Sequence, residues 1–219
     1  MTKLALRFAL VGLLSLSTLP ARGLDVSVTG LLGYQDGLGL QALGTVGLPG
    51  TPVALSLGFG YSFVNPGDPL LARQVFINDN ANGTPEKSGG FWTLRMDVIY
   101  LLKIGGFEEF GIFAGPRGSF FSGHFRYVGG NEDFTVTSNA FGVGAGVRAG
   151  LTLSRHFDIA MMLGFDWYPV ETLYGHDTSY SSSGTAVNPT DQYTWVQANE
   201  AINQPQFVPS LLIGVSWRL

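Results

Sequence analysis

Between Val53 and Phe63 the chain alternates without a break. Val53, Leu55, Leu57, Phe59, Tyr61 and Phe63 occupy one phase; Ala54, Ser56, Gly58, Gly60 and Ser62 occupy the other. Successive side chains of a strand point to opposite faces, so this segment predicts a strand with one bulky apolar face and one small or polar face. The same period of two returns in 24–34, 38–48, 91–102, 109–121, 140–153, 157–168 and 207–219. In 91–102 it sets Trp92, Leu94, Met96, Val98 and Tyr100 against Thr93, Arg95 and Asp97. In 140–153 it sets Phe141, Val143, Ala145 and Val147 against Gly142, Gly144, Gly146 and Arg148. These eight strands run to 11–14 residues each. A usual strand has about 5–6, whereas a tilted strand needs about 9–11 to cross a bilayer.

The connections alternate too. Residues 49–52, 103–108 and 154–156 are short, while 64–90, 121–133 and 171–205 are long and polar; 35–37 is the short member of the second set. Tight turns at one end and long loops at the other is the arrangement of outer-membrane barrels, with turns towards the periplasm and loops outside. The predicted fold is an all-β, eight-stranded antiparallel up-and-down transmembrane β-barrel over 24–219, with both termini periplasmic.

Charge decides which face meets lipid. The polar phase carries Asp25, Arg95, Asp97, Glu109, Arg117, Arg148, Asp158, Asp166 and Arg218. On a lipid face one charge costs up to about 2–4 kcal/mol at the midplane. In a lumen, five acids and four bases can pair. Only 13 % of the 219 residues are charged and 31 are glycine, against roughly 25 % and 7 % in soluble domains. A solvent-facing polar phase would carry more Lys and Glu and less Gly. Aromatic residues mark the strand ends: Tyr34, Tyr61, Trp92, Phe120 and Trp167 near the loops, and Tyr100, Phe110, Phe157 and Trp217 near the turns. They fit the two interfacial girdles of a membrane barrel.

Residues 1–23 read as an export signal. Lys3 and Arg7 precede the uncharged stretch Phe8–Leu19, and Ala21 and Gly23 place small residues before a cleavage point. Twelve apolar residues are too few to span a bilayer as a helix. Losing Lys3, Arg7 and Arg22 takes the formal charge from −4 to −7, so no nucleic-acid partner is expected. The absence of cysteine excludes disulfides and thiolate chemistry.

The terminal segment LLIGVSWRL carries a glycine, Gly214, with Trp217 and Leu219 at the third and fifth places after it. It is similar to the C-terminal assembly signal of outer-membrane proteins, which usually ends in Phe. The chain over 24–219 resembles the small eight-stranded outer-membrane barrels, the OmpA-, OmpX- and OmpW-like group. That resemblance implies residence in the outer membrane of a diderm bacterium, contact with its lipid, and insertion by the barrel-assembly machinery.

Candidate chemistry is sparse. Gly144 to Ala149 spells G-x-G-x-x-A, but a dinucleotide site needs a helix after it and the strand alternation runs through. Asn82-Gly83-Thr84 is a chance glycosylation triplet, and Asn78, Asp79, Asn80 and Asn82 lack the spacing and terminal Glu of a calcium loop. His124, and His176 with Asp177 and Ser179, could supply a loop cluster of the kind used by lipid A-modifying barrels, where a nucleophile needs a His base oriented by an acid. Solvated loop histidines explain the same residues. No cofactor, metal site or catalytic residue is expected. An eight-stranded interior is just wide enough for side chains to fill, so the charges are expected to form a pairing network in a largely filled lumen, although the luminal glycines would leave space. The expected role is structural or surface-interactive, with a ligand or partner met at loops 64–90 and 171–205. The alternatives are a porin-like narrow channel for small solutes, apolar ones among them, and a lipid A-modifying enzyme.

Overall fold

The structure, a computed structural model, describes residues 25–105, 107, 109–184, 186–188 and 193–219. The export signal expected at 1–23 lies outside them.

Eight long strands close a barrel: β1 (Asp25–Gln35), β2 (Leu38–Gly47), β3 (Val53–Val64), β4 (Thr84–Leu102), β5 (Glu109–Val128), β6 (Asp133–Thr152), β7 (Phe157–Trp167) and β10 (Phe207–Arg218). Each pairs antiparallel with its sequence neighbours; β10 pairs with both β7 and β1, and β5 with β6, so no edge remains around the ring. Closure is what a β-structure needs in hydrocarbon, where no water would satisfy an open edge. Two short strands, β8 (Leu173–Tyr174) and β9 (Ser179–Tyr180), continue from β6, and two short helices, α1 (Pro69–Phe76) and α2 (Trp195–Ala201), lie in the long connections. Asp25 and Arg218 both fall at the short-turn end. The tightest hairpin, Asp36-Gly37, places Asp36 at φ +56, the left-handed backbone that two-residue hairpins require.

The outward phase is apolar throughout. Leu57, Leu94, Met96, Ile112, Phe141 and Leu211 are exposed, and no charged side chain stands among them between the two aromatic ends. Tyr34, Trp92, Tyr100, Phe120, Phe157, Trp167 and Trp217 are exposed on this surface. Tyr61 is half-buried, its ring tilted against Trp92 at 4.9 Å, and Phe110 lies 5.9 Å from Phe107.

Three strands are longer than the alternation indicated. β4, β5 and β6 have 19, 20 and 20 residues. Segments 84–90 and 122–128 and Asp133, expected as loop, are strand, as is 134–139, which lay in no expected strand; the loop expected at 121–133 shrinks to a tight turn at 129–132. The physical reason is a reversal of phase. Ile112, Ala114 and Phe120 of β5 face outward, but beyond them Phe121, Phe125 and Tyr127 turn inward; Phe141 and Val143 of β6 face outward, whereas Phe134 and Val136 turn inward. Beyond the aromatic end the outward face turns polar and the inward face apolar while the strand runs on. Seven further residues carry β4 about 24 Å past the rim along its own axis.

The projecting sheet is covered on its inner face by a lid. Its core joins Phe91, Phe121, Phe125, Tyr127, Phe134 and Val136 of the strands to Val75 and Phe76 of α1 and Ala198 and Ala201 of α2. Asp68 caps α1 by accepting from the Leu70 and Leu71 amides, with Pro69 at the first turn.

Candidate functional site: the charged lumen and its lid

The inward phase builds the lumen in layers. In the middle layer the Arg117 Nε donates to Asp166 Oδ1 at 2.7 Å and its Nη2 meets Asp97 Oδ1 at 2.7 Å. Asp97 Oδ2 is gripped by both Nε and Nη2 of Arg95 at 2.8 Å. Arg95 Nη1 then reaches Gln41 Oε1 at 2.9 Å and Met162 Sδ at 3.4 Å, and Gln41 donates to Gln35 at 2.9 Å. A neutral chain of two arginines and two aspartates thus crosses the interior from β7 through β5 and β4 to β2 and β1. All four charged groups are buried. Buried charges persist only when paired and hydrogen-bonded; each of the four groups is paired and makes at least one hydrogen bond, while Arg117 Nη2 and Asp97 Oδ1 meet as a charge pair without hydrogen-bond geometry.

Glycine makes room for the arginines. A Cβ on Gly144 would stand 2.0 Å from Asp166 Oδ1 and 2.5 Å from Arg117 Nε, and one on Gly58 would stand 3.0 Å from Arg95 Cγ. The space expected beside the luminal glycines is occupied by the Arg117–Asp166 pair at Gly144, by Leu43 and the Arg95 stem at Gly58, and by the Phe113 ring at Gly146 and Gly164.

On the short-turn side, Leu31, Leu43, Ala54, Ile99, Phe113, Met162 and Leu212 form an apolar layer. Beyond it lies a second polar layer: Arg148 Nε meets Glu109 at 3.0 Å and Arg148 Nη1 donates to Thr45 at 3.1 Å, Thr29 bonds Ser216 at 2.8 Å, and Arg218 donates to Asp158 at 2.9 Å. Of the nine charges expected inside, Asp25 is the exception. It begins β1 opposite Gly47 and is exposed at the rim. Gly214 faces the lumen, while Trp217 and Leu219 face outward.

At the other end the lid is fastened by specific bonds. Arg73 of α1 is buried, donates to the Asn82 carbonyl at 2.8 Å and stacks 3.9 Å above the Tyr127 ring, with Glu132 at 3.9 Å. The Tyr127 hydroxyl donates to the Pro69 carbonyl, Tyr180 donates to Val75 O at 2.9 Å, and Lys87 donates to Gly67 O at 2.6 Å. Gly67 pairs with Ile202 before α1, at φ +130, where a Cβ would stand 2.1 Å from Ala201 O. Asn80 and Asn78 donate to Glu132, and these bonds hold its carboxyl below the usual range against the raising effect of burial. None of these fastenings was visible as a motif; Arg73 and Glu132 are ordinary charges in polar segments of the sequence.

The histidines separate. His124 meets Asp133 at 2.6 Å, and His176, exposed, lies 3.7 Å from Asp177. Ser179 is buried and its hydroxyl accepts from the Val187 amide rather than serving a histidine. No group of three or more metal-ligating side chains occurs among the described residues. Gly144 to Ala149 lies within β6. An apolar groove of about 600 Å³ opens on the outer surface, floored by Gly30 and Ala42 and walled by Leu32, Leu40 and Phe59; none of the paired luminal charges lines it.

Comparison with solved structures fits this geometry. A major outer membrane protein from Thermus thermophilus superimposes with a TM-score of 0.71 at 24 % identity, over 90 % of this chain and 99 % of that one. The fold is that of the small outer-membrane β-barrels. More distant likenesses are CarO2 of Acinetobacter baumannii, at TM-score 0.45 and 13 % identity over 89 % of this chain and 98 % of that one, and Neisserial surface protein A, at 0.39 and 10 % over 90 % and 96 %. No family model and no curated protein matches the chain.

Proposed function

We propose that this chain is a closed outer-membrane barrel whose role is structural or surface-interactive, carried by the lid and the projecting sheet rather than by conduction. The observation that carries the reading is the neutral Arg95–Asp97–Arg117–Asp166 chain across the lumen, with an apolar layer on one side and the lid on the other. An ion path would have to break several buried charge pairs. In this reading the export signal at 1–23 takes the chain across the inner membrane, and the barrel-assembly machinery reads Gly214, Trp217 and Leu219. The short turns then face the periplasm and the lid faces outside. No catalytic role is assigned, since the His124–Asp133 pair has no nucleophile aimed at it among the described contacts.

Planar-bilayer recording tests the reading. The purified protein is expected to insert, show heat-dependent gel mobility, and give no steady single-channel steps. Steady steps in the parent protein that vanish on changing Arg95 or Arg117 would refute closure and establish a channel.

A further inference from the structure

Above Trp92 and Phe120 the outward face of β4, β5 and β6 changes chemistry without changing direction. The strands stay paired, so the register lays the residues out in rungs. Ser122 pairs with Thr137, which pairs with Tyr174 of β8. Ser88, His124 and Thr135 form the next rung, and Glu86, Arg126 and Asp133 the one above. The rungs below the Trp92–Phe120–Asn139 rung are apolar, whereas every rung above it carries hydroxyls, a carboxylate or an imidazole. A groove of about 380 Å³ lies on this face, lined by Asp133, Thr135, Thr137, Tyr174 and His176. Its floor is β6 and its wall is β8, held down by fully buried Leu173. The Tyr174 ring is half-exposed, and Asp133 is steadied by His124 at 2.6 Å.

We propose that this face and its groove bind the sugar headgroup of a glycolipid in the same membrane leaflet. The inference rests on the membrane-spanning reading above. Three observations select this occupant. The first is continuity: the polar rungs rise directly from the lipid-facing wall, so the groups that meet them are the headgroups of the lipids touching that wall. The second is height. Rungs are two residues apart, so strands tilted by roughly 40° put them at about 5, 10 and 16 Å beyond the Trp92–Phe120 rung. The headgroup layer of a phospholipid is about 5–8 Å deep and covers the lowest rung alone, whereas a chain of sugars reaches all three. The third is chemistry. Glu86 and Asp133 offset Arg126, and no cluster of lysines is present to draw phosphate. A carboxylate and rows of hydroxyls can exchange hydrogen bonds with vicinal sugar hydroxyls, while the exposed tyrosine ring offers the apolar surface on which a sugar's C–H face packs.

The test uses the full-length protein in nanodiscs of phosphatidylcholine containing a minor share of a diglycosyl diacylglycerol, with phosphatidylglycerol in a parallel set. Native mass spectrometry reads the lipids retained on the barrel. Preferential retention of the glycolipid is expected, lowered about tenfold in the double variant Tyr174→Ala and Asp133→Ala. Both positions are at the surface, so gel mobility of the variant should match the parent. The free disaccharide, lacking its tails, should compete poorly; competition equal to that of the lipid would overturn the assignment to a membrane headgroup. Insertion with no preference among the three lipids, or preference untouched by the double variant, would overturn the proposal while leaving the closed barrel standing. Failure of the parent to insert at all would instead strike at the membrane reading itself.

Discussion

Replacing Arg117 by methionine keeps much of the side-chain length and removes the guanidinium that bridges Asp97 and Asp166. The residue is fully buried and both contacts are 2.7 Å long. Asp97 keeps Arg95, but Asp166 loses its arginine. Breaking a buried pair by removing one partner costs about 3–5 kcal/mol, because a charge is left without compensation. The expected loss for Arg117→Met is in that range. The second variant carries the argument: Asp166→Asn added to Arg117→Met removes the stranded charge and should bring stability back to within about 1–2 kcal/mol of the parent. Reversible urea unfolding from phosphatidylcholine vesicles, followed by the fluorescence of outward-facing Trp92, Trp167 and Trp217, measures both. A loss under about 1 kcal/mol for the single variant, or no recovery in the double variant, would mean that water solvates the Asp166 carboxylate in the folded barrel. The lumen would then be open at its middle layer, and the closed reading would fail.

Leu57, exposed on the outward face of β3, should tolerate Leu57→Ile but lose up to about 2–4 kcal/mol as Leu57→Arg in the same unfolding assay. Gly67→Ala should loosen the lid, since φ +130 and the 2.1 Å approach to Ala201 O both exclude a Cβ; limited proteolysis is expected to cut within 69–83 or 193–205 while the membrane barrel stays intact. Acid should loosen the same region. The Glu132 carboxyl is held below its usual range by Asn80 and Asn78, so its contribution is complete above the unfolded value of about 4.3 and is lost as pH falls through the lower folded value. Hydrogen exchange in 129–132 should rise below about pH 4 in the parent and show a smaller pH effect in Glu132→Gln.

The barrel was legible because each strand must present hydrocarbon-compatible groups to one side. Every outward position from Val53 to Phe63 is apolar, and the period of two survives any detail of packing. The upper halves of β4, β5 and β6 were not legible by the same rule, because the solvent changes along a single strand. Phe120 and Phe121 are neighbours in sequence, yet the first marks the lipid side and the second the lid side. A reading that asks for one unbroken phase stops there and calls the remainder loop. The reversal itself is the signal: two adjacent aromatics ending one alternation and starting its mirror image mark where the apolar face changes sides. The same reversal occurs in β6, where Val136 precedes Ala140 and Phe141.

The luminal pairs were foreseeable as a class but not as partners. Arg117 and Asp166 are 49 residues apart, and which side chains meet across the interior depends on the stagger of the closed sheet, which no local pattern fixes. What the register adds is a link between two features of composition that looked separate. Gly144 stands directly opposite Asp166 on β7, and Gly58 directly opposite Arg95 on β4. Arg95 and Arg117 stand opposite each other at one level, and Gly58 and Gly144 on the flanking strands leave the room that their side chains occupy. Arg95 and Arg117 each have such a glycine on a neighbouring strand, so part of the luminal glycine and the luminal charge answer to one constraint, the limited cross-section of an eight-stranded interior. Replacing Gly144 by alanine should accordingly act on the Arg117–Asp166 pair rather than on the backbone, and its cost should shrink when Arg117 is already methionine; equal costs in the two backgrounds would show that the glycine serves the strand and not the charge.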